Sequence, residues 1–343
     1  MKTARILFLI ARTHGLMSHL LKTQDYTRLV GTRDMQRMVD YLLATDYSRE
    51  LSLISTSKVT AIQLEGIIYK KLSERWFSLL AMSSGKTRDL LEAYDERLEI
   101  ENLKKVIRAV HGKENTTTEL FISVPRKYQN LNFRALSAAK SMTEVADLLK
   151  ETPYSDFEKW LTEYETHANP LILEAQLDKT YYTNLWNRTY KNSDRHKIRD
   201  IIGTEIDIKN LQSILSAKFV KLDPQLVRRM TIDLGHRLHR SVVTKLASGD
   251  LQGVTSTVLW PSYSQLMHSA VELVNEGRLI EVETLLSRYT YTYAESIAIK
   301  NPNSLAYVFA YLSLCLREAR NLTTLAIGKQ MNIKQESLRS LLS

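Results

Sequence analysis

The chain has 343 residues, with 47 Lys and Arg against 38 Asp and Glu, so its formal net charge is +9. It contains only 11 Gly and 6 Pro, although 44% of its residues are hydrophobic. This shortage of helix-breaking residues predicts long helices and excludes a glycine-rich dinucleotide fold, a collagen-like chain and a proline-rich disordered protein. The length allows one large domain or two to three smaller ones.

The beginning of the chain contains a short apolar run from Ile6 to Ile10, which Arg12 interrupts. This run is too short for the apolar core of a signal peptide, and no window approaches the roughly 18 apolar residues of a membrane span. We therefore expect a soluble or peripheral protein. The single cysteine, Cys315, lies between leucines, and we interpret it as a core thiol in a reducing compartment.

Apolar residues then recur at helical spacing from one end of the chain to the other, which predicts an all-α protein. Breaks between helices are expected where proline follows a polar or aromatic residue, because proline suits the first position of a helix. These breaks lie at Thr152-Pro153, Asn169-Pro170, Asp223-Pro224, Trp260-Pro261 and Asn301-Pro302, with a further one at His111-Gly112.

One nine-residue pattern occurs three times, reading acidic, apolar, charged, Asn, Leu, two polar and two apolar positions. Its copies begin at Glu99, Asp207 and Glu318, and their asparagines are Asn102, Asn210 and Asn321. A second block precedes the pattern, with Tyr47 aligned to Tyr154 and, by its apolar spacing, to Tyr291. Two blocks in the same order predict three helical units, which we place at 1–115, 116–225 and 226–343.

On a helix, the acidic residue of each copy lies about 40° from the centre of the apolar stripe. An acid in that position loses hydration, so it needs a partner, a proton or the rim of a cavity. Catalysis would require the three acids to converge on one substrate, which repeated units do not favour. We interpret six residues as structural or interface residues with partners that the sequence does not identify: Glu99, Asn102, Asp207, Asn210, Glu318 and Asn321.

Other motifs do not indicate a cofactor, a metal or a catalytic residue. Gly85-Lys86-Thr87 matches the end of a phosphate-binding loop, but Leu80 stands where the motif requires its first glycine. His236 and His239 share a helical face without an evident third ligand.

Positive charge gathers twice, once around Arg188 to Arg199 and once at Arg228, Arg229, Arg237 and Arg240. A solvated face is one explanation. Nucleic acid, an acidic protein and anionic lipid headgroups are all possible partners for such surfaces.

The repeated pattern resembles the C-subunit family of archaeal and vacuolar-type rotary ATPases, whose eukaryotic member is the d subunit. The resemblance covers essentially the whole chain and rests on an ordered set of residues. Besides the three patterns, the set includes Ala11-Arg12, Leu20-Leu21, Tyr26, Leu29, Leu42, Thr45-Asp46-Tyr47, Ala306-Tyr307, Tyr311-Leu312 and Ile327-Gly328-Lys329.

The resemblance implies an all-helical funnel of three pseudo-symmetric units around a central concavity. Such a protein is non-catalytic and sits peripherally on the cytoplasmic face of the membrane, where it links the rotor shaft (D/F type subunits) to the proteolipid ring. It transmits the torque that couples ATP synthesis or hydrolysis to proton or sodium transport, with no small-molecule substrate, cofactor or nucleic acid. The alternatives are a basic helical nucleic-acid-binding protein and, third, an enzyme whose repeated acids converge.

Overall fold

The fold is all-helical, as the sequence predicts. The computed structural model describes residues 2–53, 59–115, 121–190, 192, 194–249, 253 and 260–343. Within these ranges the regular elements are α-helices and short 3-10 helices, without a β-strand.

The helices follow one another with short connections. In chain order they are α1 (Lys2–Met17), α2 (Thr23–Gly31), α3 (Met35–Leu42), α4 (Ser48–Leu51), α5 (Ala61–Met82), α6 (Gly85–Gly112), α7 (Phe133–Ala138), α8 (Met142–Leu149), α9 (Leu161–His167), α10 (Leu171–Thr189), α11 (Arg195–Phe219), α12 (Pro224–Met230), α13 (Arg240–Ser248), α14 (Pro261–Asn275), α15 (Leu279–Lys300), α16 (Leu305–Gln330) and α17 (Gln335–Ser340). The 3-10 helices are Arg126–Tyr128 and Ser155–Trp160.

Several helix boundaries follow from local chemistry. The predicted proline starts are confirmed at α12 and α14, which begin at Pro224 and Pro261. Asp223 also caps α12 by accepting backbone hydrogen bonds from its first turn. Where proline is absent the helices run on, so that α6 has 28 residues and α16 has 26.

The chain divides into two compact units. The first contains Met1–Arg88 and Ser287–Ser343, and the second contains Asp89–Leu286. The division into three units at 1–115, 116–225 and 226–343 stays a prediction.

In the first unit, α16 packs along α5, and α1 packs against both. The α5 face that enters this core carries Leu64, Ile68, Leu72 and Trp76, each at most 1% exposed. From Leu305 to Cys315, α16 is buried on all sides, which is typical of a helix at the centre of a core. Cys315 lies within this buried stretch, as expected for a core thiol.

In the second unit, α11 packs against α10, α12, α13 and α14. Most of α11 from Ile198 to Ala217 is buried, including its polar residues Glu205, Asp207 and Asn210. Buried polar groups are costly unless they are hydrogen-bonded, so the partners of these residues determine how the unit is held together. None of the helices in the described ranges combines the length and the hydropathy that a membrane span requires.

Candidate functional site

The third copy of the repeated pattern places Glu318 in the core of the first unit, where it is 1% exposed. One of its oxygens, Oε2, accepts the backbone N–H of Leu21 at 2.5 Å. The other, Oε1, accepts the Tyr47 hydroxyl at 2.8 Å and Nη1 of Arg75 at 2.6 Å. Arg75 also donates to Asp46 at 2.9 Å. The buried ion pair between Glu318 and Arg75, together with the hydrogen bonds of Glu318, therefore links α16 to residues 21–75.

The second copy places Asp207 on α11, with its side chain fully buried. Its carboxylate accepts three consecutive backbone N–H groups, from His236 at 3.1 Å, Arg237 at 2.8 Å and Leu238 at 3.3 Å. The Tyr263 hydroxyl donates to it at 3.0 Å. Burial raises the pKa of Asp207 to about 6, although these hydrogen bonds act in the opposite direction.

The first copy places Glu99 on α6, where it is 1% exposed. It accepts the backbone N–H groups of Asn130 at 2.8 Å and Leu131 at 3.3 Å, and the Asn130 side-chain amide at 2.9 Å. Burial raises its pKa, and these hydrogen bonds partly oppose the shift. The buried Tyr154 hydroxyl has no hydrogen-bond partner among the described residues.

The three asparagines share a second kind of contact. Each donates its side-chain amide to the backbone carbonyl of one residue and accepts the backbone N–H of that same residue. The pairs are Asn102 with Ile122, Asn210 with Ile232 and Asn321 with Ser343, with distances from 2.6 to 2.9 Å. Each asparagine therefore substitutes for a backbone partner of a segment 20 or 22 residues further along the chain.

Together these contacts define what we call an acid–asparagine site. In each site one helix carries an acid, which binds the backbone N–H groups before a short helix, and an asparagine, which pairs with the backbone of a second segment; the three sites are Glu99 with Asn102, Asp207 with Asn210 and Glu318 with Asn321. The three acids bind the backbone N–H groups of three leucines, Leu131, Leu238 and Leu21. Each leucine lies just before a short helix, namely α7, α13 and α2. The sites have separate sets of partners, so each carboxylate works within its own site.

The repeat alignment needs one correction. The apolar spacing aligned Tyr47 with Tyr291, but the tyrosine that donates to the acid of the second copy, as Tyr47 does in the third, is Tyr263. Tyr291 lies within the 22-residue helix α15. Apolar spacing recurs in every amphipathic helix, so it matched the wrong helix, whereas the hydroxyl contact is specific.

Two lysines extend the pattern. Lys329 donates to the carbonyls of Val30 and Thr32 at the end of α2, with 2.7 Å to Val30. Lys218 donates in the same way to Ala247 and Gly249 at the end of α13, with 3.1 Å to Ala247. Each lysine stands eleven residues after the acid of its copy. Lysine suits this position because it supplies donors to the unpaired carbonyls at a helix end.

Sequence reasoning missed Arg75 and a second buried polar group in the other unit. There, Lys104 pairs with Asp178 at 2.6 Å, and Lys209 approaches the same carboxylate at 3.5 Å. The partners are tens to hundreds of residues apart in the sequence, so no local pattern signals them. In the described part of the chain, no group of three or more His, Cys, Asp or Glu side chains is placed to hold a metal ion.

The fold and these sites define a class of protein: a helical scaffold in which buried acids bind backbone N–H groups of distant segments. The chain belongs to the ATP synthase (C/AC39) subunit family, whose model matches residues 9–341. A member of this family is a component of a larger complex and not an enzyme by itself.

Several relatives match almost the entire chain. The C subunit of the A-type ATP synthase of Methanocaldococcus jannaschii is 24% identical over 341 residues, covering 97% of this chain and 84% of the relative. Its counterpart in Methanobrevibacter smithii is 26% identical, covering 93% and 83%. That of Pyrococcus horikoshii is 25% identical, covering 97% and 88%. All three organisms are archaea.

Proposed function

We propose that this chain is the central-stalk socket of an A/V-type rotary ATPase or ATP synthase. It links the rotor shaft, formed by D/F type subunits, to the membrane proteolipid ring on the cytoplasmic face. The observation that carries the proposal is the family match over residues 9–341, together with relatives named as the C subunit of A-type ATP synthases. This match favours the socket over the nucleic-acid-binding alternative, which rested on the basic composition.

The proposed mechanism is mechanical. A part that transmits torque must not shear, so it needs close packing and contacts that join segments far apart in the chain. The acid–asparagine sites are contacts of this kind, since Glu318 joins α16 to residues 271 and 297 positions away. The asparagine contacts and the leucine N–H contacts recur at all three copies, which supports three similar helical units. Their arrangement around a central concavity is part of the same proposal.

Purification of the native complex tests this proposal. The tagged chain is expressed in its native host, and the membranes are extracted with mild detergent. The co-isolated proteins are identified by mass spectrometry. We expect shaft subunits, proteolipid and ATPase head subunits in constant ratio to the chain. A stable free chain that carries nucleic acid and none of these subunits would refute the socket.

Substitution of the acids separates scaffold from contact roles. If Glu99, Asp207 and Glu318 hold the helices in place, alanine at any of them lowers the melting temperature of the isolated chain. If the melting temperature of a variant is unchanged and its binding to the shaft is lost, the acid belongs to the shaft interface instead.

A further inference from the structure

The strongest unassigned feature is a group of charges around Asp233, in the segment between α12 and α13. Three cations converge on this one carboxylate: Arg228 Nη2 at 2.8 Å, Arg240 Nε at 3.6 Å and Lys179 Nζ at 3.9 Å. We call these four residues the Asp233 cluster. It contains part of the second basic grouping seen in the sequence.

The surroundings leave the cluster positively charged. Arg229 stands beside it and pairs with Glu163 at 2.6 Å. Counting these two residues with the cluster gives four cations and two carboxylates. Burial lowers the pKa of Lys179, and the neighbouring arginines lower it further, although Asp233 acts in the opposite direction.

One cation of the cluster and the neighbouring Arg229 are exposed to solvent. The side chain of Arg240 is 74% exposed and that of Arg229 is 53% exposed. Arg229 also lies over the Trp160 ring, and Arg237 over the ring of the half-exposed Trp260. Arginine and tryptophan are among the side chains most enriched at energetically important positions of protein interfaces.

The segment that carries Asp233, between α12 and α13, is held by hydrogen bonds to α11. Ile232 is paired with Asn210, and three residues just after Asp233 donate their N–H groups to Asp207. A Cβ atom at Gly235 would overlap Asp207 Oδ1, and one at Gly203 would lie 2.8 Å from the His236 Cβ. Asp233 is therefore fixed between these two anchored points, and its ion pairs orient Arg228 and Lys179 before any partner arrives, which reduces the entropy lost on binding.

We propose that the Asp233 cluster is the docking surface for an acidic segment of another protein subunit. This inference rests on the proposed function in one respect, that the partner belongs to the same ATP synthase complex. Planar guanidinium groups bind carboxylates through paired hydrogen bonds, and exposed donors on Arg240 and Arg229 can form them.

The arrangement of charge favours discrete carboxylates over a lipid surface or nucleic acid. A membrane or a polynucleotide presents many closely spaced phosphates, and Asp233 and Glu163 lie among the cations and would repel them. A peptide can place a single Asp or Glu side chain against the exposed Arg240 or Arg229 without bringing further anions close to Asp233 and Glu163. The Trp260 ring beside Arg237 offers apolar contact area of the kind that protein interfaces use.

Carbodiimide crosslinking of the intact complex tests the chemistry directly, because this reagent joins a primary amine to a carboxylate without a spacer. Arg240→Lys keeps the charge and supplies an exposed amine, and Arg37→Lys is the matched control, since Arg37 is 73% exposed beside Asp40. We expect a crosslink from position 240 to an Asp or Glu in an acidic stretch of another subunit. Crosslinks only to Asp233 within the chain would overturn the proposal.

Charge reversal measures the contribution to binding. We expect Arg240→Glu to reduce co-isolation of the partner by about tenfold at moderate salt, whereas Arg37→Glu leaves it unchanged. Equal melting temperatures of the two variants show that both fold. Undiminished co-isolation of Arg240→Glu would overturn the inference while the proposed function stands, and failure of the wild-type chain to isolate with any ATP synthase subunit would overturn both.

Binding to phosphatidylserine vesicles and to a single-stranded oligonucleotide distinguishes the other partners. The expected result is that Arg240→Glu changes partner binding far more than binding to either probe. If the variant loses vesicle or oligonucleotide binding and keeps its protein partners, the surface is not a peptide-docking site.

Discussion

The sites of Glu318 and Glu99 start from the same sequence pattern and differ in how their buried charge is balanced. Glu318 faces the Arg75 guanidinium and the Tyr47 hydroxyl, whereas no cation among the described residues pairs with Glu99, which accepts only amide N–H groups. In both, the carboxylate holds the backbone of a distant segment. The pattern thus determines the backbone contact, and the surrounding residues determine the electrostatics.

The largest effect should come from removing the charge of Glu318. Glu318→Gln leaves the Arg75 guanidinium, whose side chain is 4% exposed, facing a neutral amide. Breaking a buried ion pair from one side costs about 3–5 kcal/mol in other proteins, and we expect about 3 kcal/mol because the amide oxygen still accepts. Urea unfolding followed by circular dichroism measures the loss.

Glu295→Gln is the control, because Glu295 pairs with Arg317 at 3.4 Å in a position that is half exposed. Exposed pairs contribute about 0–1 kcal/mol, so this variant should unfold almost as the wild type does. Equal losses in the two variants would show that the buried pair does not stabilise the first unit.

The buried charge of Asp207 should make the free energy of unfolding depend on pH. The pKa of this acid is raised from 3.8 to about 6 in the folded chain, so the folded state binds the proton more tightly than the unfolded state does. Its contribution to the free energy of unfolding therefore grows as the pH falls from about 6 to about 4, by up to about 3 kcal/mol. Asp207→Asn removes this titration, so the wild type should gain stability relative to the variant over that range.

Unfolding curves of both proteins at several pH values between about 4 and about 7 give the difference directly. Other carboxyl groups titrate equally in the two proteins and cancel. Parallel stability curves across this range would contradict a raised pKa of Asp207 in the folded chain.

Substitution of Gly235 tests whether folding requires the close approach of this backbone to Asp207. Gly235→Ala places a methyl group against the carboxylate, and such overpacking destabilises by about 1–3 kcal/mol. Gly15→Ala is the matched change, since nothing lies within 4 Å of its added carbon and the residue is in α1. That variant should gain up to about 1 kcal/mol. Thermal unfolding measures both melting temperatures. A shift of the two in the same direction would contradict the close approach of Gly235 to Asp207.

The smallest effect should come from Glu99→Gln. With no cation left unpaired, the Gln oxygen can still accept the Asn130 and Leu131 N–H groups, and the Asn130 amide has to turn so that its oxygen accepts from the new NH2 group. We therefore expect a loss of about 1 kcal/mol. The same urea titration as for Glu318→Gln measures it. A loss as large as that of Glu318→Gln would remove the distinction between the two sites.

The sequence predicted the helical class, two helix starts at proline (Pro224 and Pro261) and the recurrence of buried acids, because all three depend on local residue chemistry. It did not predict the partners. Leu21 and Tyr47 lie 297 and 271 residues from Glu318, and a backbone N–H leaves no mark on residue identity. Tyr263 could have been found by its distance after Leu238, since Tyr47 follows Leu21 and Tyr154 follows Leu131 at similar spacing.

The lysines were a nearer miss. Their common distance from the acids was visible in the sequence, and three helical turns excluded a direct pair. Only the structure shows that they bind the carbonyl end of the short helix held by the same site.

The first unit is built from the two ends of the described chain, and this affects folding during synthesis. Residues Met1–Arg88 share a unit with Ser287–Ser343, and one of the two carboxylates that pair with Arg75 belongs to Glu318. While the ribosome makes the long stretch between these segments, the early helices lack the helix α16 that completes their core. The second unit is contiguous and can fold during this interval, whereas the first unit reaches its native packing only after α16 has emerged.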